Sequence, residues 1–206
     1  MDVKGVCEAM DRLINHKIVA PNSAGNPAIC GECALHGPTC CRCGAAETDV
    51  VAPLSAAEWR QIQRLAPWAM SGEFVASERN TPRFIHEMQR LFPDNPAAVE
   101  AAFPLDATHL RLAQNSVGQC VFLGVEGCLL PGAARPFFCQ LYPFWLIDGH
   151  LFALGDPRCR ALQTLDSTAT MLAAFGTHPA RLRATYHRLR LAWGLGPPAR
   201  AAAGHG

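Results

Sequence analysis

The sequence predicts a single α+β domain, with peripheral helices around a small, loop-rich, cysteine-lined core that carries short β-hairpins. Three observations predict it. Apolar residues recur at three- and four-residue steps in several separate segments, the period of amphipathic helices. From residue 109 onward, short extended pieces alternate with tight-turn signals. Nine of the ten cysteines fall in two sets: five lie within the fourteen residues 30–43, and Cys120, Cys128, Cys139 and Cys159 return after a cysteine-free gap of 76 residues. The domain is expected to span 1–193, with 194–206 as a flexible Gly/Pro/Ala tail.

Composition narrows the class. Half of the 206 residues are hydrophobic and 17% are charged, a globular balance rather than a disordered one. A net charge of +1 gives no global attraction to nucleic acid or to an anionic membrane. The charge is uneven, since no Asp or Glu follows Asp166 while five arginines do. The N-terminus has charges scattered through it and no apolar h-region, so it does not read as a signal peptide. No run approaches the ~18 apolar residues of a membrane span. A cytoplasmic location is expected, where thiols stay reduced and ten cysteines suit metal or redox chemistry better than a disulfide framework.

In chain order, residues 2–18 read as an amphipathic helix with Val3, Val6, Met10, Leu13 and Ile14 on one face. Cys7 lies beside that stripe and reads as a buried thiol rather than a ligand. Residues 21–27 are a loop. Residues 30–43 read as a cysteine loop whose Gly31, Gly37, Pro38 and Gly44 allow tight turns. A strand-like 49–52 follows. Ser55 and Glu58 form a capping box opening a helix with Trp59, Ile62 and Leu65 on one face, ended by Pro67. Thr81-Pro82 opens a helix through Phe92, and Asp94 or Asn95 with Pro96 a short one through Phe103. The stretch 67–105 is read as a helical insertion between the two cysteine sets. His109–Leu112 alternates as a strand. Cys120–Leu123 and Cys128–Leu130 read as hairpin arms, and Asp148-Gly149 is the strongest hairpin turn signal in the chain. Residues 166–175 and 179–193 read as helices, the second with Leu182, Tyr186, Leu189 and Trp193 inward and its arginines outward.

The cysteine spacing carries the chemistry. Cys30-Gly31-Glu32-Cys33 can direct two thiolates at one metal, as in structural zinc and iron–sulfur sites. Cys40-Cys41 is a vicinal pair, whose side chains in an extended segment point to opposite sides and so suit two centres, or one centre reached through an irregular turn. Cys43 could share the side of Cys41. The second set has 7, 10 and 19 residues between its members, unlike a compact zinc ribbon, and needs a folded hairpin scaffold to converge. Either each set makes its own site, or the sets share one and metal staples the two halves. Eight or nine clustered thiolates carry too much charge to be buried together without metal or protons.

CxxC, a vicinal CC, VVAPLSAAEWRQI over 50–62, CVFLGVEGC over 120–128 and RPFFCQLYPF over 135–144 together resemble the YkgJ-type cysteine-cluster family. That family is described as a zinc- or iron-chelating domain and is often held to contain iron–sulfur. The resemblance covers roughly 30–65 and 118–160. It implies that Cys30, Cys33, Cys40, Cys41, Cys120, Cys128 and Cys139 are metal ligands, with Cys159 as the late cysteine and Cys43 an extra. The family's Ile-Tyr is replaced by Leu130-Pro131, with one added residue before Arg135, and Gln140 stands where Arg is usual. The domain also resembles part of flagellin lysine N-methylase, which would imply S-adenosylmethionine, although no glycine-rich nucleotide loop accompanies it here.

The expectation is a cytoplasmic metal-binding protein. The resemblance favours an iron–sulfur cluster or iron over zinc, in a structural or redox role. An iron–sulfur-dependent modifying enzyme (a protein lysine N-methyltransferase or an oxidoreductase) and a zinc-stapled module for a protein partner are the alternatives. Arg135 reads either as a cation that offsets thiolate charge or holds an anion at the cofactor, or as a turn arginine before Pro136. His36 reads as an exposed loop histidine, His109 and His150 as structural. Tyr142, Phe144 and Trp145 read as a hydrophobic wall around the site. The arginines of 181–190 read as a solvated face, and nucleic acid is not an expected partner.

Overall fold

A computed structural model of the chain describes residues 28–36, 40–41, 52–69, 72–155 and 159–197. Within them eight α-helices and three small antiparallel sheets form one body, the mixed α+β class expected. The helices are α1 (Ala28–His36), α2 (Ala56–Leu65), α3 (Pro82–Leu91), α4 (Pro96–Ala102), α5 (Phe137–Leu141), α6 (Arg160–Thr164), α7 (Thr168–Ala174) and α8 (Pro179–Ala192). The strands are β1 (Pro53–Leu54), β2 (Val75–Arg79), β3 (Thr108–Leu112), β4 (Leu123–Gly124), β5 (Gly127–Cys128), β6 (Phe144–Ile147) and β7 (His150–Ala153).

Local chemistry sets most boundaries. Ser55 caps α2 through a reciprocal box with Glu58, Thr81 caps α3 ahead of Pro82, and Asn95 caps α4 ahead of Pro96. Each cap satisfies an N–H that the first helical turn leaves without a partner. Asp148 and Gly149 turn β6 into β7 with φ of 50° and 77°, the left-handed pair that a two-residue hairpin needs. Strand β3 sits between β1 and β2, with Leu54 opposite Leu110 and Val75 opposite Leu112.

Two hydrophobic cores result. The larger gathers α3, α4, α5, α8 and β6 around Phe92, Trp145, Tyr186 and Leu189, and Cys159 is buried in it while Cys30 packs against it. The smaller, around Leu54, Ile62, Phe122 and Leu130, has Cys120 and Cys128 packed against it. The two cysteine sets therefore line both cores.

Several expectations are corrected. Cys30 and Cys33 stand on helix α1, not in a turn-rich loop. Ala28, Glu32, Ala34 and Leu35 are good helix formers and outweigh one interior glycine. The stretch 67–105 is not wholly helical, because β2 lies in it and pairs along the whole of β3. Its sequence, VASER, lacks strand-favouring residues beyond Val75, and the hydrogen-bonding edge of β3 supplies what propensity does not. Leu65 is exposed, and Glu58 is buried on α2 instead. Arg190 is fully buried, unlike the exposed Arg181, Arg183 and Arg188. Its guanidinium makes two bonds of 2.9 Å to Asp94 and one of 2.9 Å to the Gly196 carbonyl. Leu195 is buried too, so ordered chain continues past 193. Short helices α5 and α6 were not expected. The 2–18 helix, the 21–27 loop, Cys7, Cys43 and residues 49–51 lie outside the described residues.

Candidate metal centre

Six pieces of chain carry the described cysteines. Helix α1 presents Cys30 and Cys33 three residues apart, on one face. Cys40 and Cys41 occupy a turn. Cys120 is in a bridge with Gln114, Cys128 ends β5, Cys139 is in α5 and Cys159 is the N-cap of α6. None of the eight is joined in a disulfide.

The two sets touch through main chain. The amide of Cys120 donates to the carbonyl of Cys41 at 2.7 Å. Helix α1 also lies against the β4–β5 hairpin, where a Cβ added to Gly31 would sit 3.6 Å from the Glu126 carbonyl. On the other side, the amide of Arg160 donates to the Cys33 thiol, and the Arg160 guanidinium pairs with Glu32 at 3.1 Å.

Charge coupling gives the same neighbourhood. Burial pushes the Cys30 thiol up to about 12, reinforced by Cys41, Cys33 and Cys128 and opposed by the Arg135 guanidinium. Burial also raises Cys33, Cys128 and Cys139, and Cys41 adds to each. Cys40 is raised first by its hydrogen bond with Cys41 and then by burial. Cys139 further feels Cys120, Cys128 and Glu58. Cys139 is exposed by area, yet protein surrounds it on the longer scale over which a charge is felt; the upward direction of its shift follows that longer scale. Cys41 is thus the thiol common to Cys30, Cys33, Cys40, Cys128 and Cys139.

Arg135 donates from Nε to the Leu130 carbonyl at 3.2 Å and hydrogen-bonds the Cys128 thiol, lowering both Cys128 and Cys30. It is a cation beside thiols as well as a turn residue. Trp145 and Phe144 are buried in the larger core together with Cys159; Trp145 donates to the Leu91 carbonyl at 2.8 Å and packs on Phe138 of α5. His36 and His150 are exposed. His109 is buried, stacked on Phe84 with ring centroids 4.1 Å apart and bonded through Nδ1 to Asn80 at 2.7 Å.

The donor set suits a thiophilic metal: soft thiols from both sets, with protons held tightly because bare thiolates would be buried charges. Among the described residues, however, no three Cys, His, Asp or Glu side chains are placed to hold an ion together, so the group is a neighbourhood of thiols and not a formed coordination shell. Sequence reasoning missed Glu58 and Arg160 as neighbours of the cluster. The capping box was the only signal at Glu58, and α6 had no signal at all.

The chain matches no protein-family model, and comparison with curated proteins and with solved structures likewise finds no match. The family resemblance rests on the ordered motifs alone. Among the described residues no helix is long and apolar enough to cross a membrane.

Proposed function

We propose that this chain is a cytoplasmic metal-binding protein in which both cysteine sets serve one centre, an iron–sulfur cluster or iron ahead of zinc. The observation that carries the reading is the 2.7 Å bond from the Cys120 amide to the Cys41 carbonyl, which seats the second set against the first. The coupling of Cys41 to Cys30, Cys33, Cys40, Cys128 and Cys139 supports it. Gathering so many half-buried thiols in one neighbourhood has no advantage for packing alone, while a bound cation would offset their charge once the protons leave. Arg135 supplies a further positive charge beside Cys30 and Cys128. The preference for iron comes from the motif resemblance.

Anaerobic purification followed by metal analysis and a visible spectrum tests the reading. Iron with acid-labile sulfide and broad absorption at ~400 nm assigns an iron–sulfur cluster. A colourless protein with stoichiometric zinc replaces iron by zinc. A chain that carries neither, and takes up neither when reduced and supplied with each, overturns the proposal. If Cys30→Ser and Cys139→Ser each abolish the same metal, the sets share one centre. Retention of separate metal by each variant refutes the shared site.

A further inference from the structure

Glu58 does more than cap its own helix. Its side chain is buried, and both carboxylate oxygens are used. Oε2 accepts from the Ser55 amide at 2.8 Å, the Ser55 hydroxyl at 2.7 Å and the Trp193 indole N–H at 2.9 Å. Oε1 accepts from the Phe137 amide at 2.7 Å. Three distant parts of the chain, the start of α2, the start of α5 and the end of α8, thus meet on one carboxylate. A capping box needs only the Ser55 contacts. The other two are long-range, and one grips the first residue of the five-residue helix that bears Cys139.

We infer that Glu58 is a positioning residue of the thiol cluster, holding α5 so that Cys139 stays beside Cys41, Cys120 and Cys128. Helix α5 is too short to hold its own place, since a single turn fixes several dihedrals for very few internal hydrogen bonds. Pro136 precedes it and has no N–H to offer, so the Phe137 amide is the first main-chain donor of the helix, and Glu58 takes it. The proximity of the carboxylate is felt at the Cys139 thiol itself. Groups that orient a ligand without touching the metal commonly change affinity by 10–100-fold when removed.

Glu58→Gln tests this, because three donors meet Oε2 and one meets Oε1, so a carboxamide best keeps its oxygen on the Oε2 side and turns its N–H toward the Phe137 amide. Ser55→Ala, which weakens the α2 cap and leaves the Phe137 bond, is the control. In the metal-free chain, hydrogen exchange of 137–141 should speed up about tenfold in Glu58→Gln, and not in Ser55→Ala. Unchanged protection of 137–141 overturns the assignment whether or not the protein binds metal. Only the second measurement depends on the function proposed above: zinc or iron affinity should fall about 10–100-fold in Glu58→Gln. In a double-mutant cycle, Glu58→Gln should add nothing to Cys139→Ala. Additive losses would mean that Glu58 does not act through Cys139. If Glu58→Gln fails to fold, Glu58→Asp keeps the charge and draws the carboxylate back by one methylene from the Phe137 amide. It should show the same exchange pattern at smaller amplitude, and loss of stability with 137–141 still protected would count against the assignment. A wild-type chain without metal, but with exchange at 137–141 controlled by Glu58, would refute the metal reading and leave the positioning role standing.

Discussion

Metal binding by these thiols must expel protons, and the structure sets the scale. Cys30 holds its proton to about 12, five pH units above neutrality. At about 1.4 kcal/mol per unit, removing that proton at pH 7 costs about 7 kcal/mol, which the metal–sulfur bond must exceed. Cys33, Cys40, Cys128 and Cys139 are shifted in the same direction, by burial in all but Cys40, where the hydrogen bond with Cys41 comes first. All these thiols are therefore protonated between pH 6.5 and 8 in the metal-free chain. The perturbation is pH, and the assay is zinc competition against a chelator of known affinity, corrected for the chelator's own protonation. Each ligand thiol should contribute about one decade of apparent affinity per pH unit, so a four-thiol site gives a slope of about four. Cys30→Ala should lower the slope by one. A slope below about one would refute the reasoning, because the thiols could not then be the ligands or could not be protonated.

Three further outcomes follow from the packing. Arg190→Met takes the buried guanidinium from a largely buried Asp94 and should destabilise the chain by about 3–5 kcal/mol in urea titrations, while Arg188→Met, at an exposed arginine over the Phe137 ring, should cost under about 1 kcal/mol. Asn80 gives its N–H to the Pro104 carbonyl at 2.8 Å, so its oxygen faces the His109 Nδ1–H and His109 is neutral, with the buried Nε2 unpaired. Burial lowers His109, Glu78 opposes and Arg111 adds; the unfolded chain thus binds the proton more readily, and stability should fall as pH drops below about 6.5, by up to about 1.4 kcal/mol per unit. Gly31→Ala should raise stability by about 0.5–1 kcal/mol, since a Cβ there meets its nearest neighbour at an ordinary 3.6 Å and gains helix propensity.

What could be read from the sequence was what neighbouring residues decide among themselves. Ser55 with Glu58, Thr81 with Pro82, Asn95 with Pro96 and Asp148 with Gly149 each settle a turn or cap within four residues, and each stands where the pattern puts it. Features set by distant partners were not legible. Strand β2 exists because β3 offers its edge. Arg190 looks like any arginine on an amphipathic helix until Asp94 arrives from 96 residues away. Glu58 reads as a local cap, and its bond to Phe137 spans 79 residues. At the candidate site the cysteines could be picked out, because their clustering is itself unusual. Which element carried them could not: Gly31 suggested a turn where the surrounding residues build a helix.

The bond between the Cys120 amide and the Cys41 carbonyl uses no side-chain atom. Serine or alanine at either position leaves donor and acceptor untouched, so such variants can strip away sulfur chemistry while the two segments remain docked. Proline at 120 removes the N–H as well as the thiol, so its difference from serine at 120 is the docking bond alone. Ligation and docking, usually lost together when a cysteine site is mutated, can here be told apart by comparing serine with proline at one position.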